Sequence, residues 1–449
     1  MKNEKVLICL EKMGIGGVET AVLNQVAALS KRGVDCVVLA ENGIYSSKVV
    51  EVGAKFIDFK FPLRNCIDGD VVKALVKIIK DENITQVHIN QFPCMQYMLY
   101  ACAFTNVPYV AYLHTGYDLI AREDDLNIFN WYCKQYPIFN ELFPMYFRHA
   151  SKIISITQFA KDYCAKRYDI DLDNILVCPN SIDFSLFVED KHVDTNEKIF
   201  LSIGRLSKDK EGSLFNTLQL YKRLKERDNS FKLQIAGDGE SREVIEKYVE
   251  DNNIEDCTFL GQISNVPEVM HKAFIVAGVG RCIIDAIASK TLPLIVSKES
   301  VRDFVTKNNL NKCIEGNFST SAIDARNVDD IIEDLLQITY ERKLEIVNEN
   351  YNLAKEKLDI NKNLFILDSK EVKYDTEELL NSFLNINHYI VKKMDEQTER
   401  LEHLEKDNSK IPEYLKQIDD LNEKLQAIYG SRTYKVSKKI SNLINRKSK

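Results

Sequence analysis

The residues best suited to chemistry lie in a few short stretches. The run V-A-G-V-G-R-C-I-I-D, Val276–Asp285, holds two glycines, an arginine and a carboxylate ahead of what reads as an apolar helix. Glycines just before a helix leave backbone N–H groups free to face a phosphate. The run G-R-L-S-K-D-K-E-G, Gly204–Gly212, carries Arg205 and Lys210 five positions apart. Two cations converging on one loop suit a diphosphate leaving group, whose developing charge must be stabilised; exposed loop charges are the alternative reading. In G-I-G-G-V-E, Gly14–Glu19, glycines again open a helix after a strand. This is not the dinucleotide fingerprint, which needs glycine where Glu19 stands, and a plain tight turn is the alternative. His114 closes a strand in Y-L-H-T-G, where an imidazole serves either a ligand or the fold. Asp238, in A-G-D-G-E, reads as a helix cap. Asp169, Asp171 and Asp173 fall in a polar loop and read as turn acids rather than a metal site.

For these loops to meet, each must follow a strand of a parallel sheet. The sequence predicts strands over Val6–Leu10, Val34–Ala40, Thr85–Asn90, Tyr109–His114, Lys152–Thr157 and Ile175–Cys178, with helices between, such as Glu19–Lys31, Asp70–Asp81 and Met95–Phe104. After an Asp-, Ser- and Pro-rich pause at Pro179–Val193 the alternation restarts. Strands are expected at Ile199–Ile203, Phe231–Ala236, Cys257–Leu260 and Leu294–Val296, and helices at Leu214–Lys225 and Glu240–Asp251. The expected fold class is α/β, with one Rossmann-like domain over 1–185, a second over 186–370, and a helical, coiled-coil tail over 371–449. Ligands in such sheets sit at the carboxyl ends of strands. The loops after Leu10, Tyr112 and Ile203, and the one at Gly278–Gly280, should therefore face a common cleft.

The 449 residues are 45% apolar and 28% charged, enough for full cores in two or three domains. A net charge of −7 argues against nucleic acid as the main partner. The eleven cysteines show no C-x-x-C pair and no histidines at zinc spacing, so reduced, cytoplasmic thiols are expected. The first residues read as a strand rather than a signal peptide, and no run approaches the roughly 18 apolar residues of a membrane span. In the tail, Leu401, Leu404, Asn408, Ile411, Leu415, Ile418 and Leu425 form a heptad seam broken by Pro412. Such a seam suits either a hairpin or a homo-oligomer. The last stretch, from Ser431, carries seven basic residues and no acid, with Val436, Ile440, Leu443 and Ile444 on one helical face. It reads either as a helix lying on an anionic membrane surface or as a solvated terminus.

Taken in order, these signals resemble family 4 retaining glycosyltransferases of the two-domain GT-B fold, over roughly Lys5 to Ile366. The pieces are G-G-V-E (Gly16–Glu19), S-K-I-I-S-I-T-Q-F-A-K (Ser151–Lys161), P-N-S-I-D (Pro179–Asp183), G-R-L-S-K-D-K, A-G-D-G-E and F-L-G-Q-I. The resemblance implies a nucleotide-diphosphate sugar donor, no cofactor and no required metal. It implies catalytic roles for Arg205 and Lys210, which would grip the diphosphate, and for His114 beside the transferred sugar. It implies donor binding by Gly16, Gly17, Gly204, Gly278, Val279, Gly280, Arg281, Cys282 and Asp285. The family's two glutamates, with seven residues between them, align with Ala277 and Asp285. An active hexosyltransferase is therefore one reading, and a silent member that binds a glycan or a partner transferase is the other. The tail run Y-G-S-R-T-Y-K-V resembles the ends of bacterial cell-surface polysaccharide glycosyltransferases. It implies a glycan or lipid-linked acceptor at the inner face of the cell membrane.

Overall fold

The computed structural model describes residues 4–114, 128–187, 198–263, 265–319, 323–367, 374–375 and 377–387. The heptad seam and the basic end lie outside the described residues. The first sheet contains β1 (Lys5–Lys12), β2 (Asp35–Glu41), β3 (Lys55–Asp58), β4 (Gln86–Ile89), β5 (Tyr109–Leu113), β6 (Lys152–Ser155) and β7 (Ile175–Val177). Its order is β3-β2-β1-β4-β5-β6-β7, with every pairing parallel. The second contains β8 (Lys198–Ile203), β9 (Phe231–Ala236), β10 (Cys257–Gly261), β11 (Ile275–Gly278), β12 (Leu292–Val296) and β13 (Val301–Phe304). Its order is β10-β9-β8-β11-β12-β13, parallel except for the antiparallel edge pair β12–β13. Two doubly wound sheets were expected; the edge strands β3 and β13 were not.

Central strands read as unbroken apolar runs because helices cover both their faces. Val6, Leu7, Ile8, Cys9 and Leu10 are all fully buried, split between two cores on opposite sides of the sheet. Local chemistry sets the covering helices. Asp68 caps the helix Gly69–Asp81 by accepting from the Asp70 N–H at 3.0 Å. The helix Phe92–Thr105 begins with proline inside its first turn and ends at Asn106, in the left-handed conformation with φ 55°.

The chain leaves the first domain after β7 and returns through the helix Tyr340–Leu358. Outgoing and returning strands touch: Ile182 donates to the Leu358 carbonyl at 2.9 Å, and Ile360 donates to that of Ile182 at 3.0 Å. Leu364 and Ile366 then pack beneath the first sheet. Residues 377–387 form a helix whose Leu379 and Ile386 are each only 3% exposed in the first domain's core. Phe383 meets Tyr100 edge-on at 5.4 Å, and Arg148 pairs with Glu378 at 2.5 Å. The expected boundary at 370/371 is thereby corrected. Residues 374–387 belong to the first domain, because their apolar face buries there. No described helix is long and apolar enough to cross a membrane.

Candidate active site

The two sheets present the carboxyl ends of their strands to one cleft. On the first domain's side, the turn after β1 feeds the helix Gly17–Lys31, whose cap, Gly16, has extended backbone and offers no side-chain cap. A side chain at Gly16 would collide with the Glu19 carboxylate, which is folded back over the helix start. Glu19 thus lies where a bound anion belongs. Burial raises its pKa, against the pull of its own backbone N–H and of Arg205 across the cleft. Tyr45 reaches across from the same side: burial raises its hydroxyl pKa, and the carboxylates of Asp285 and Glu19 raise it further.

On the second domain's side, Arg205 is exposed just past β8, and Lys210 starts the helix Glu211–Arg227. Neither side chain forms a hydrogen bond or ion pair with any described residue, while the Lys210 backbone N–H donates to the Ser207 carbonyl at 2.8 Å. The neighbouring loop A-G-D-G-E shapes this one. Leu206 N–H donates to Asp238 O at 3.0 Å and Ser241 N–H donates to Leu206 O at 2.8 Å. Gly237 and Gly239 have φ of +141° and +154°, and a side chain on either would strike the carbonyl of Gly204 or Leu206. Both glycines are therefore needed for the two loops to lie together. Asp238 is not the helix cap that the sequence suggested. It accepts from the Gly239 N–H at 2.9 Å and from Arg242 at 3.2 Å, while Ser241 takes the cap position.

The opening between β11 and the helix Arg281–Ala288 is two residues long, Val279 and Gly280. Gly280 has φ +70° and donates its N–H to Phe318 O at 2.9 Å. Ala277 lies within β11, 1% exposed, in the second domain's core. The position that the sequence aligns with the family's first glutamate thus carries a methyl group packed in the core. Asp285 is buried and accepts from Arg281 Nε at 2.8 Å. Burial raises the Asp285 carboxyl, partly offset by Arg281. Arg281 also donates to Ser181 O at 3.1 Å, in the linker between domains. Arg281 and Asp285 thus form a pair, where the sequence assigned each to the donor. Cys282 packs its sulfur against the Val279 carbonyl at 3.3 Å, and its thiol is pushed up to about 12, mainly by burial. The Lys210 charge opposes that shift.

His114 stands one residue past β5. Its Nε2 donates to Asn90 Oδ1 at 2.8 Å, and its ring stacks on Tyr112 at 5.8 Å and 11°. Burial lowers its pKa to about 4. It lines a pocket with Gln25, Asn90, Asn180, Ser181 and Asn363, which brings together strand ends, linker and returning chain. Asp169 ends a helix in the left-handed conformation, with φ 52°, and Asp171 accepts from the Asp173 N–H at 2.9 Å, as turn acids do. Among the described residues no group of three or more His, Cys, Asp or Glu is placed to hold a metal.

The structure therefore brings Gly16, Gly17 and Glu19 opposite Arg205, and Lys210 acts electrostatically on Cys282. His114 lies in a pocket formed by the first domain's strand ends, the linker and the returning chain. Sequence reasoning missed Tyr45 and Asn90, whose significance arises only from sheet adjacency. Glu19 was legible as part of a motif but not as a side chain in the site.

Comparison with known proteins matches both halves of the chain. A family model described as "Glycosyltransferase Family 4" covers residues 15–186, and one described as "Glycosyl transferases group 1" covers 184–352. A curated relative, poly(ribitol-phosphate) alpha-N-acetylglucosaminyltransferase of Staphylococcus aureus, is 26% identical over 226 residues, 49% of this chain and 42% of that protein. The match thus spans less than half of that relative's length. The solved structure of Anabaena HepE with UDP and glucose has a TM-score of 0.61 at 13% identity, covering 80% of this chain and 97% of that one. A variant of S. aureus TarM, solved with fondaparinux, alpha-GlcNAc-glycerol and UDP, has a TM-score of 0.59 at 13% identity, covering 85% and 99%. The chain belongs to this family of two-domain glycosyltransferases and has its GT-B fold.

Proposed function

We propose, from that membership, that the chain transfers a sugar from a nucleotide-diphosphate sugar to a glycan or lipid-linked acceptor, in assembling a bacterial surface polysaccharide. The observation that carries this reading is the pair of uncommitted cations, Arg205 and Lys210, on a loop held rigid by the glycines of A-G-D-G-E. The donor's C1–O bond to phosphate breaks as the acceptor oxygen bonds to C1 from the same face. The acceptor proton passes to the leaving phosphate oxygen. No protein nucleophile is required, so the protein contributes position and charge stabilisation. Arg205 and Lys210 offset the charge that grows on the diphosphate, in place of a divalent metal. The helix start at Gly16–Gly17 faces the same charge once Glu19 swings aside. A UDP-sugar is the first donor to try, since both S. aureus TarM and HepE were solved with UDP.

The silent-subunit reading has its support in the missing glutamate at Ala277; the retained Arg205, Lys210 and Asp285 favour the active one. A basic tail at the membrane face and a homo-oligomer through the heptad seam remain proposals from sequence alone.

The test is turnover of UDP-, GDP-, dTDP- and ADP-sugars, by transfer or slow hydrolysis, with and without EDTA. Arg205→Ala and Lys210→Ala should each lower kcat about 100-fold or more, the usual cost of a lost transition-state charge partner. EDTA should leave the rate unchanged. No turnover or binding of any donor at millimolar level would sink the enzyme reading; full activity in both variants would sink the diphosphate assignment.

A further inference from the structure

Asn90, one residue past β4, is 3% exposed, and its amide Nδ2 is buried without a partner. Its backbone N–H is tied to the Cys9 carbonyl at 2.9 Å, and its side chain lines the pocket beside His114. Its Oδ1 takes the Nε2 proton of His114, and a carbonyl oxygen can only accept. The His114 ring is held from its face by Tyr112, whose hydroxyl accepts from Gln25 Nε2 at 2.8 Å. With Nε2 protonated, a neutral ring carries a bare lone pair on Nδ1, which has no hydrogen bond among the described residues.

We infer that Asn90 is a positioning residue for sugar recognition: it locks His114 as a hydrogen-bond acceptor and presents its own free amide as the matching donor. The two then read one hydroxyl group, which donates to His114 Nδ1 and accepts from Asn90 Nδ2. A burial cost for the lone amide is offset only when such a group is bound. The chemistry selects a neutral, hydroxyl-bearing sugar over one presenting a carboxylate here, because a carboxylate cannot donate to Nδ1. Among the described residues no ionised side chain lines the pocket. The described titratable groups around His114 are Tyr112 and Cys178, both raised by burial, and His88 in the layer behind, lowered to about 3 by burial. All stay neutral through the working pH range, so among the described residues His114 has no charged neighbour to recruit a proton.

This inference rests on the transferase reading for its sugar, but its core is measurable without substrate. Nitrogen-15 NMR of the imidazoles in the full chain, assigned with His114→Gln, should show His114 protonated at Nε2, not Nδ1, and untitrated from pH 5.5 to 8. Asn90→Asp puts a carboxylate on Nε2 and should make His114 titrate within that range. Activity of that variant should then fall as pH drops through the new pKa, while the wild type stays flat. Asn90→Ala should lower kcat/KM about tenfold, the worth of one hydrogen bond, with an unchanged melting profile. An Nδ1–H tautomer in the wild type overturns the proposal, even if Asn90→Asp folds poorly. Correct tautomer and titration with no turnover of any nucleotide sugar supports the lock and removes the transferase reading instead.

Discussion

Glu19 is a carboxylate in a place built for someone else's charge. It covers the start of its own helix and faces Arg205, yet burial still leaves its ionised form at a disadvantage. The sign follows directly. A carboxyl whose pKa is raised on folding binds its proton more tightly in the native state, so stability falls as pH rises through that range. Glu19→Gln should therefore melt higher than the wild type at pH 7.5. The gain should vanish near about pH 4, where both carboxyl forms are protonated. Equal melting at both pH values would mean that Arg205 fully compensates the buried charge. Arg205, Lys210 and His114 stood out in the sequence because each lies just past a strand end, with loop charge and a structural imidazole as the alternatives. Asn90 was not, because an amide gains meaning only from the residue that a neighbouring strand sets beside it.

Parallel strands announced themselves as apolar runs, since a strand covered on both faces has no polar side to display. The edge strand β13 did not: Val301 and Phe304 are buried and Arg302 and Asp303 between them are partly exposed, too short a pattern to show a period. The helix at 377–387 was assigned to the tail because composition changes there. Yet Leu379, Phe383 and Ile386 follow helical spacing and share one face. That face is what ties the element to the first domain. Leu379→Ala should destabilise the first domain by about 2–4 kcal/mol, as for other large-to-small core changes. Urea unfolding followed by a first-domain fluorophore, such as Trp131, should show the loss. Donor binding by the folded variant should be unchanged, because the helix packs on Tyr100 and Arg148 rather than on the donor loops. Weakened donor binding under native conditions would show that the helix does more than pack.

At the scale of the whole molecule, the cleft is bridged by charges that belong to neither sheet's core. Lys31 of the first domain pairs at 2.5 Å with Asp183 of the linker, and Arg32 donates to the Asn361 carbonyl on the returning chain. The second domain is continuous in sequence from Ile182, whose segment to Phe187 packs against the helices Arg281–Ala288 and Tyr340–Leu358, to Leu358, whereas the first is assembled from both ends of the described chain. Residues 180–358 expressed alone should resist limited proteolysis, and residues 1–179 alone should be cut within the helix Phe92–Thr105, whose Tyr100 has lost its cover. Equal resistance of both fragments would show the return segment to be dispensable. The crossing of outgoing and returning chains at Ile182 and Asp359 has a further consequence in time. On the ribosome the strands of the first domain must wait for residues 374–387, so the domain that starts second finishes first. Until residue 387 emerges, the first domain remains open, and the nascent chain carries a finished second domain without a closed partner.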